Sequence, residues 1–261
     1  MNKKTRYIVL LVILLIYFAV LFLIYGKDHL KREKEETVII IGNSTIWKKE
    51  KQKWSTIKSL SDKKDLGWKL YDTYIDNKKI GKYYLWNDNT EWFLFDKKKN
   101  AYNYQGELLA YRSNYKMPVK SFTTETVTDY TYLEKLLSDN NLSNTGTPTV
   151  SSVTKVDIDS DGIDEKIYVF SNVFSDDEIL PENSYSFVFL EKESKTYMMY
   201  SYTDEFVGLS GCQPFVDYLI DIDEDNNYEI VLKCSQYDEL PPINTLYKFD
   251  KGKFIEIINN Q

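Results

Sequence analysis

From Trp68 to Arg112 apolar and polar residues alternate in short runs, each broken by a cluster of turn residues. The runs are Lys69–Ile75, Ile80–Trp86, Glu91–Phe95, Ala101–Tyr104 and Leu108–Arg112. Asp76-Asn77-Lys78-Lys79, Asn87-Asp88-Asn89 and Gln105-Gly106-Glu107 separate them. A period of two with turns every 8–12 residues or so describes an antiparallel meander. Thr37–Ile41 opens this β pattern, and Trp47, Trp54 and Trp68 punctuate the Lys-rich stretch that follows. Residues 37–120 therefore read as an aromatic-rich β unit. Its Trp and Tyr side chains suit core and cross-strand packing, with a sugar-stacking platform as the alternative.

Between 121 and 149 the chain turns to Ser, Thr and Asn. Thr131-Tyr132-Leu133-Glu134 has a capping-box pattern, and Leu133, Leu136 and Leu137 give one apolar face. This is read as a linker carrying one short helix that ends near Asn140. Alternation resumes in residues 150–261. Strands are expected at Val153–Val156, Lys166–Phe170, Tyr185–Leu190, Thr196–Tyr202, Phe215–Ile222, Glu229–Ser235, Thr245–Phe249 and Phe254–Ile258.

The N-terminus breaks the pattern. Residues 7–25 hold 19 consecutive uncharged, mostly apolar positions bounded by Tyr7 and Tyr25. As a helix they reach about 28 Å, close to the roughly 30 Å of a bilayer core, and aromatic rings prefer its interfaces. The stretch is longer than the apolar region of a signal peptide, and Ile24-Tyr25-Gly26-Lys27 is a poor cleavage site. It reads as an uncleaved signal anchor. Residues 1–6 form a cytoplasmic tail, residues 26–36 a juxtamembrane stalk, and the bulk of the chain lies outside the cytoplasm. Basic residues flank both ends, so orientation rests on the commoner arrangement of a short tail inside and a large domain outside. The expected fold class is mainly antiparallel β, with an N-terminal transmembrane helix, one linker helix and two β-rich units.

Composition narrows the function. Apolar residues make up 43% of the 261, enough for a packed core. The net charge of −7 argues against nucleic acid, which requires a basic footprint. Cys212 and Cys234 are too few for a disulfide scaffold or a thiolate zinc site. They flank an acidic loop, and form either one bridge or two small buried hydrophobes.

Two acidic loops carry the candidate chemistry. Asp157-Ile158-Asp159-Ser160-Asp161-Gly162-Ile163-Asp164-Glu165 is followed 64 residues later by Asp221-Ile222-Asp223-Glu224-Asp225-Asn226-Asn227-Tyr228-Glu229. Each places carboxylates at relative positions 1, 3, 5 and 9. Ca2+ takes about 6–8 oxygen ligands, and such spacing lets one turn supply several. The candidate ligands are Asp157, Asp159, Asp161, the Ile163 carbonyl and Glu165, then Asp221, Asp223, Asp225, the Asn227 carbonyl and Glu229. Gly162 permits a left-handed turn; Asn226, in its place, does so less readily, which makes the second loop the weaker expectation. An EF-hand would need Glu at position 12, where Tyr168 and Leu232 stand, and its flanks would be helical. The D-x-D-x-D-G-x-x-D/E core followed by a strand instead resembles the FG-GAP (integrin propeller) and VCBS-type calcium loop. That resemblance covers the two loops only. It implies a structural metal pinning a strand-to-strand turn and blade-like β units, of which two cannot close a propeller.

Catalysis has little support. The single histidine, His29, lies four residues beyond the apolar stretch, so a His-based triad is not expected. No glycine-rich phosphate loop is present. The leading expectation is a non-enzymatic, membrane-anchored extracytoplasmic protein with calcium-stabilised β structure. Its expected partners are the bilayer, through residues 7–25, and a protein or glycan at the cell surface. Alternatives are a carbohydrate-active enzyme using paired carboxylates and a modulator of a membrane complex.

Overall fold

The computed structural model describes residues 36–58, 66–88, 91–114, 116–139, 147–173, 183–204, 211–236 and 240–260. The expected tail, apolar stretch and nearly all of the stalk lie outside them. Among the described residues no helix is long and apolar enough to cross a membrane. They form seventeen strands and one helix, mainly antiparallel β as expected.

The first sheet contains β1 (Thr37–Ile41), β2 (Thr45–Glu50), β3 (Lys53–Thr56), β4 (Lys69–Ile75), β5 (Lys78–Asn87), β6 (Trp92–Phe95), β7 (Ala101–Tyr102) and β8 (Leu108–Arg112). Its order is β3-β2-β1-β8-β4-β5-β6-β7, an open sheet rather than a closed barrel. The second sheet contains β9 (Thr123–Thr126), β10 (Val150–Val156), β11 (Glu165–Ser171), β12 (Ser184–Lys192) and β13 (Lys195–Asp204), ordered β13-β12-β11-β10-β9. The third contains β14 (Cys212–Ile220), β15 (Glu229–Gln236), β16 (Ile243–Asp250) and β17 (Lys253–Asn259), in sequence order.

Strand alternation makes the third sheet the middle layer. On one face Tyr218, Ile220, Val231 and Leu246 pack with Ile39, Ile41, Trp47, Tyr74, Leu109 and Tyr111 of the first sheet. On the other, Leu219, Ile230, Leu232 and Tyr247 pack with Val156, Ile167, Val169, Val188 and Leu190 of the second. Strands buried on both faces lose polar alternation, which explains the unbroken apolar run Val38–Ile41 in the fully buried β1. The first sheet also curls: Val38, Ile40, Tyr71, Leu85, Trp92, Leu94 and Ala110 share a separate cluster on its concave side.

Helix α1 (Thr131–Asp139) forms where expected and lays Leu133 against Tyr168, Phe170, Phe187 and Phe189. Its capping acceptor differs from the expected Thr131. Asp129 accepts hydrogen bonds from both the N–H and the Oγ1 of Thr131. Within the stretch read as helix and linker, β9 adds an edge strand to β10. All four of its residues are exposed and polar, so no hydrophobic alternation marks it. Cys212 and Cys234 are joined as a disulfide between neighbouring strands, with Cα atoms 5.4 Å apart.

Polar contacts fix the seam between the first and third sheets. Thr45 Oγ1 accepts from Asn244 Nδ2 at 2.8 Å and Asn260 Nδ2 at 2.7 Å. Tyr218 Oη donates to the Glu107 carbonyl at 3.0 Å, and Lys233 pairs with the Glu107 carboxylate at 2.6 Å. Gly106, with φ of 104°, belongs to this seam: a Cβ there would stand 2.4 Å from Asp76 Oδ2. Asp217 sits at the bulge of β14, and its Oδ2 is buried without a hydrogen bond. Burial pushes its carboxyl up to about 7 against the pull of Lys233, with Glu107 and Asp76 adding to the rise.

A carboxyl held above its unfolded-state range binds its proton more tightly when folded, so the stability it confers is full at acid pH and lost as pH rises through about 7. Asp217→Asn should flatten part of the decline in urea-unfolding free energy between pH 4 and 7, as ordinary carboxyls define the lower limit near pH 4. An unchanged pH profile in the variant would show that Asp217 does not titrate in that window.

Candidate functional site

Each acidic loop is closed by the last pair of a hairpin. Val156 pairs with Glu165, and Ile220 with Glu229. Inside each loop the second residue, Ile158 or Ile222, is buried and anchors the turn to the apolar layer between the second and third sheets or between the third and first. The closing glutamate then reaches back. Glu165 Oε2 accepts from the Ile158 N–H at 2.8 Å, and Glu229 Oε2 from the Ile222 N–H at 3.0 Å.

Most of the remaining hydrogen bonds repeat between the loops, the Asp223 N–H to Asp221 bond belonging to the second alone. Asp157 accepts from the N–H groups of Asp161 and Gly162, and Asp221 from those of Asp225 and Asn226. Asp161 accepts from Ile163 N–H and Asp225 from Asn227 N–H, both at 2.8 Å. The backbone repeats as well: Ser160 and Gly162 have φ of 60° and 89°, Glu224 and Asn226 of 60° and 64°. Asn226 thus takes up the left-handed turn that Gly162 provides in the first loop. Ser160 and Glu224 adopt it too, which neither residue type announces.

In the first loop one oxygen from each of Asp157, Asp159 and Glu165 lies within 4.8 Å of the others; in the second, Asp221, Asp223 and Asp225 do the same. Sequence reasoning did not anticipate what stands among them. Lys192 Nζ lies 2.7 Å from Asp159, 3.7 Å from Asp161 and 2.5 Å from Glu165. Lys248 Nζ lies 2.7 Å from Asp223, 2.8 Å from Asp225 and 3.2 Å from Glu229. The two lysines are equivalent by register. One step beyond the Lys166–Glu191 pair, Lys192 falls opposite Glu165; one step beyond Ile230–Tyr247, Lys248 falls opposite Glu229. A faint signal was present, since each lysine ends a Leu-x-Lys run, Leu190-Glu191-Lys192 and Leu246-Tyr247-Lys248.

The loops also touch each other. Tyr228 N–H donates to the Ile158 carbonyl at 2.7 Å, and Ser160 Oγ donates to the Asn226 carbonyl at 3.0 Å. Lys120 adds a second cation at this junction, 3.3 Å from Asp157 Oδ2 and over the Tyr228 ring. Both amino groups inside the loops resist burial, yet their carboxylate neighbours hold Lys192 and Lys248 above the usual lysine range. Burial pushes the Glu229 carboxyl up to about 7; the Ile222 N–H pulls it back, Asp223 adds to the rise and Lys248 opposes it. Burial likewise works to raise Asp157 and Asp225, but Lys120 and Lys248 respectively, with backbone N–H groups, bring both below the ordinary carboxylate range.

These donor sets fit a hard cation. In each loop three carboxylates pair with one ammonium, that of Lys192 or Lys248, and Asp157 pairs with Lys120 instead. Asp159 Oδ1 and Glu229 Oε1 are buried without a hydrogen bond, and Glu229 is fully buried. Ile163 and Asn227, expected to offer carbonyls, stand at the rim, Ile163 strongly exposed. Comparison with family models, with curated proteins and with solved structures finds no match for the chain.

Removing a lysine from these clusters strands a buried carboxylate. Lys248→Met should destabilise the protein by about 3 kcal/mol in the absence of divalent cations, read from urea unfolding in EDTA. Lys166→Met, which breaks the more exposed pair with Glu191, should cost less than about 1 kcal/mol. Equal losses would mean that the loop ammonium is no more than a surface charge.

Proposed function

We propose that the protein is a membrane-anchored, extracytoplasmic, non-enzymatic binding protein whose β layers are fastened by Ca2+ at the two acidic loops. The observation that carries this reading is the duplicated loop skeleton, with equal register, closely matching hydrogen bonds and three converging carboxylates in each loop. Asp157, Asp159, Asp161 and Glu165 would hold one ion, and Asp221, Asp223, Asp225 and Glu229 the other. The ion would supply two positive charges where Lys192 or Lys248 supplies one, cross-linking a turn whose acids otherwise repel. The units β10–β13 and β14–β17, each a four-stranded meander around one such loop, are consistent with the FG-GAP/VCBS resemblance of the loops.

Two further features favour the location. Residues 7–25 have the length and polarity of a span. The Cys212–Cys234 disulfide suits an oxidising compartment. The competing reading, a carbohydrate-active enzyme, looks to a cavity of about 600 Å³ lined by Glu36 and Glu50. Both glutamates are ion-paired to Lys48, at 3.2 and 2.5 Å, which favours a structural role for them.

Calcium titration of the full-length protein in detergent, followed by thermal melting, tests the metal. At 10 mM Ca2+ and a dissociation constant near 1 mM, stabilisation of about 1.4 kcal/mol per site is expected, a rise of a few degrees. Asp159→Ala with Asp161→Ala should remove the share of the first loop, and Asp223→Ala with Asp225→Ala that of the second. A melting curve indifferent to Ca2+ in all three proteins would sink the metal reading.

A further inference from the structure

The third sheet covers only part of the first. Its contacts involve β1, β2, β3 and β8, and reach Tyr74 on β4 and Asn77 in the turn after it, at the end of the sheet away from Trp68. Beyond that line the outer face of β4–β6 is uncovered among the described residues. Alternation assigns Tyr71, Leu85, Trp92 and Leu94 to the concave cluster, which leaves Leu70, Tyr84, Trp86, Phe93 and Phe95 on the outer face. Trp86 is 39% exposed and leans on Phe93, with ring centroids 5.4 Å apart. Trp68 is 50% exposed and leans on Phe95 at 5.0 Å.

The two tryptophans share one end of the sheet. Lys69 pairs with Leu85, so Trp68 falls level with Trp86, which itself pairs with Phe93. The chain enters at this same end. Strands β1 and β4 both pair antiparallel with β8, so they run in one direction and start at one edge. Glu36, the residue before β1, is fixed there by Arg112 at 3.1 Å and lines one cavity with Lys69. Residues 26–36 separate this edge from the apolar stretch 7–25. Eleven residues span about 16 Å as a helix and at most about 40 Å extended. The two indoles are thus tethered within reach of the surface in which residues 7–25 would be embedded.

We propose that the Trp68–Trp86–Phe93 end of the first sheet rests on the lipid surface of the bilayer that anchors the chain. This interaction rests on the membrane-anchor reading and extends it. An indole has an apolar body and one N–H, so it gains most at the boundary between acyl chains and headgroups. On an uncovered sheet face in water that gain is forgone. The tether makes docking intramolecular, so a contact too weak for a free domain is populated through high effective concentration. Docking also fixes the orientation of the layers above the membrane.

The test uses the full-length protein in phosphatidylcholine vesicles, with and without lipid brominated at the upper acyl chain. Bromine should quench part of the tryptophan emission, leaving the light of the core residues Trp47 and Trp92. Trp68→Ser with Trp86→Ser should abolish more than half of that quenching. Residual core emission and an unchanged melting point would show the variant folded. Flotation with the vesicles after an alkaline wash, together with no quenching in the unaltered protein, overturns the docking and leaves the anchor standing. Failure to float overturns both. Emission that responds to soluble oligosaccharide but not to brominated lipid overturns the docking in favour of a glycan platform.

Discussion

A carboxylate removed from water must be met by cations and N–H groups, and the C-terminal half of this protein is arranged around two that are. Glu165 and Glu229 each close a hairpin, turn back to a loop N–H and face a lysine on the next strand. Neither glutamate could be buried without all three features. The hairpin register fixes where the glutamate stands, the buried isoleucine of the loop fixes where its N–H donor points, and the third strand delivers the ammonium. Stranding either glutamate would cost several kcal/mol, a large share of the stability of an ordinary domain. Three strands and a loop therefore form one electrostatic unit, and the chain contains it twice.

The two units are joined by the layer they share. Strand β14 sends alternate side chains to opposite neighbours, Tyr218 and Ile220 to the first sheet and Leu219 to the second. Ile158 and Ile222 extend this division into the loops themselves, one packing into each apolar layer. Movement of a loop would thus be felt in the core beneath it. The hydrogen bond from Tyr228 to Ile158 couples the loops directly, so they form one composite surface rather than two independent turns.

Much of this was legible in residue patterns, and what was missed has physical causes. Period-two alternation locates the hairpins from Lys69 to Arg112, and short apolar runs between turn residues locate all eight strands expected after Val150, several of which, such as Ser184–Lys192, are buried on both faces. The helix at Thr131 was marked by its leucines. Strand β9 was not, since Thr123–Thr126 has no apolar side to bury. The hairpin of β2 and β3 was obscured because its turn, Lys51-Gln52, adopts left-handed φ of 47° and 67° without glycine or asparagine. Spacing gave the carboxylates of each loop. It could not give Lys192 or Lys248, which come from another strand and depend on register. The contact between the loops likewise depends on how the second and third sheets stack, which local pattern does not encode.

The same geometry revises the ranking of the loops. Judged by Gly162 against Asn226, the first loop should form more easily. Yet Asn226 reaches the required φ at 64°, and the second loop buries its first acid, Asp221, more fully than the first loop buries Asp157. Asp221 is 2% exposed and accepts from three backbone N–H groups, those of Asp223, Asp225 and Asn226. Glu229 is wholly buried, and its counterpart Glu165 nearly so at 3% exposed. A modest local strain at one asparagine is small beside the preorganisation of so many donors around one carboxylate. The cost falls elsewhere: the Asp223 and Lys248 side chains are 38% and 22% exposed against 29% and 14% for Asp159 and Lys192, so the ammonium that opposes the burial-raised Glu229 carboxyl is the one more open to solvent.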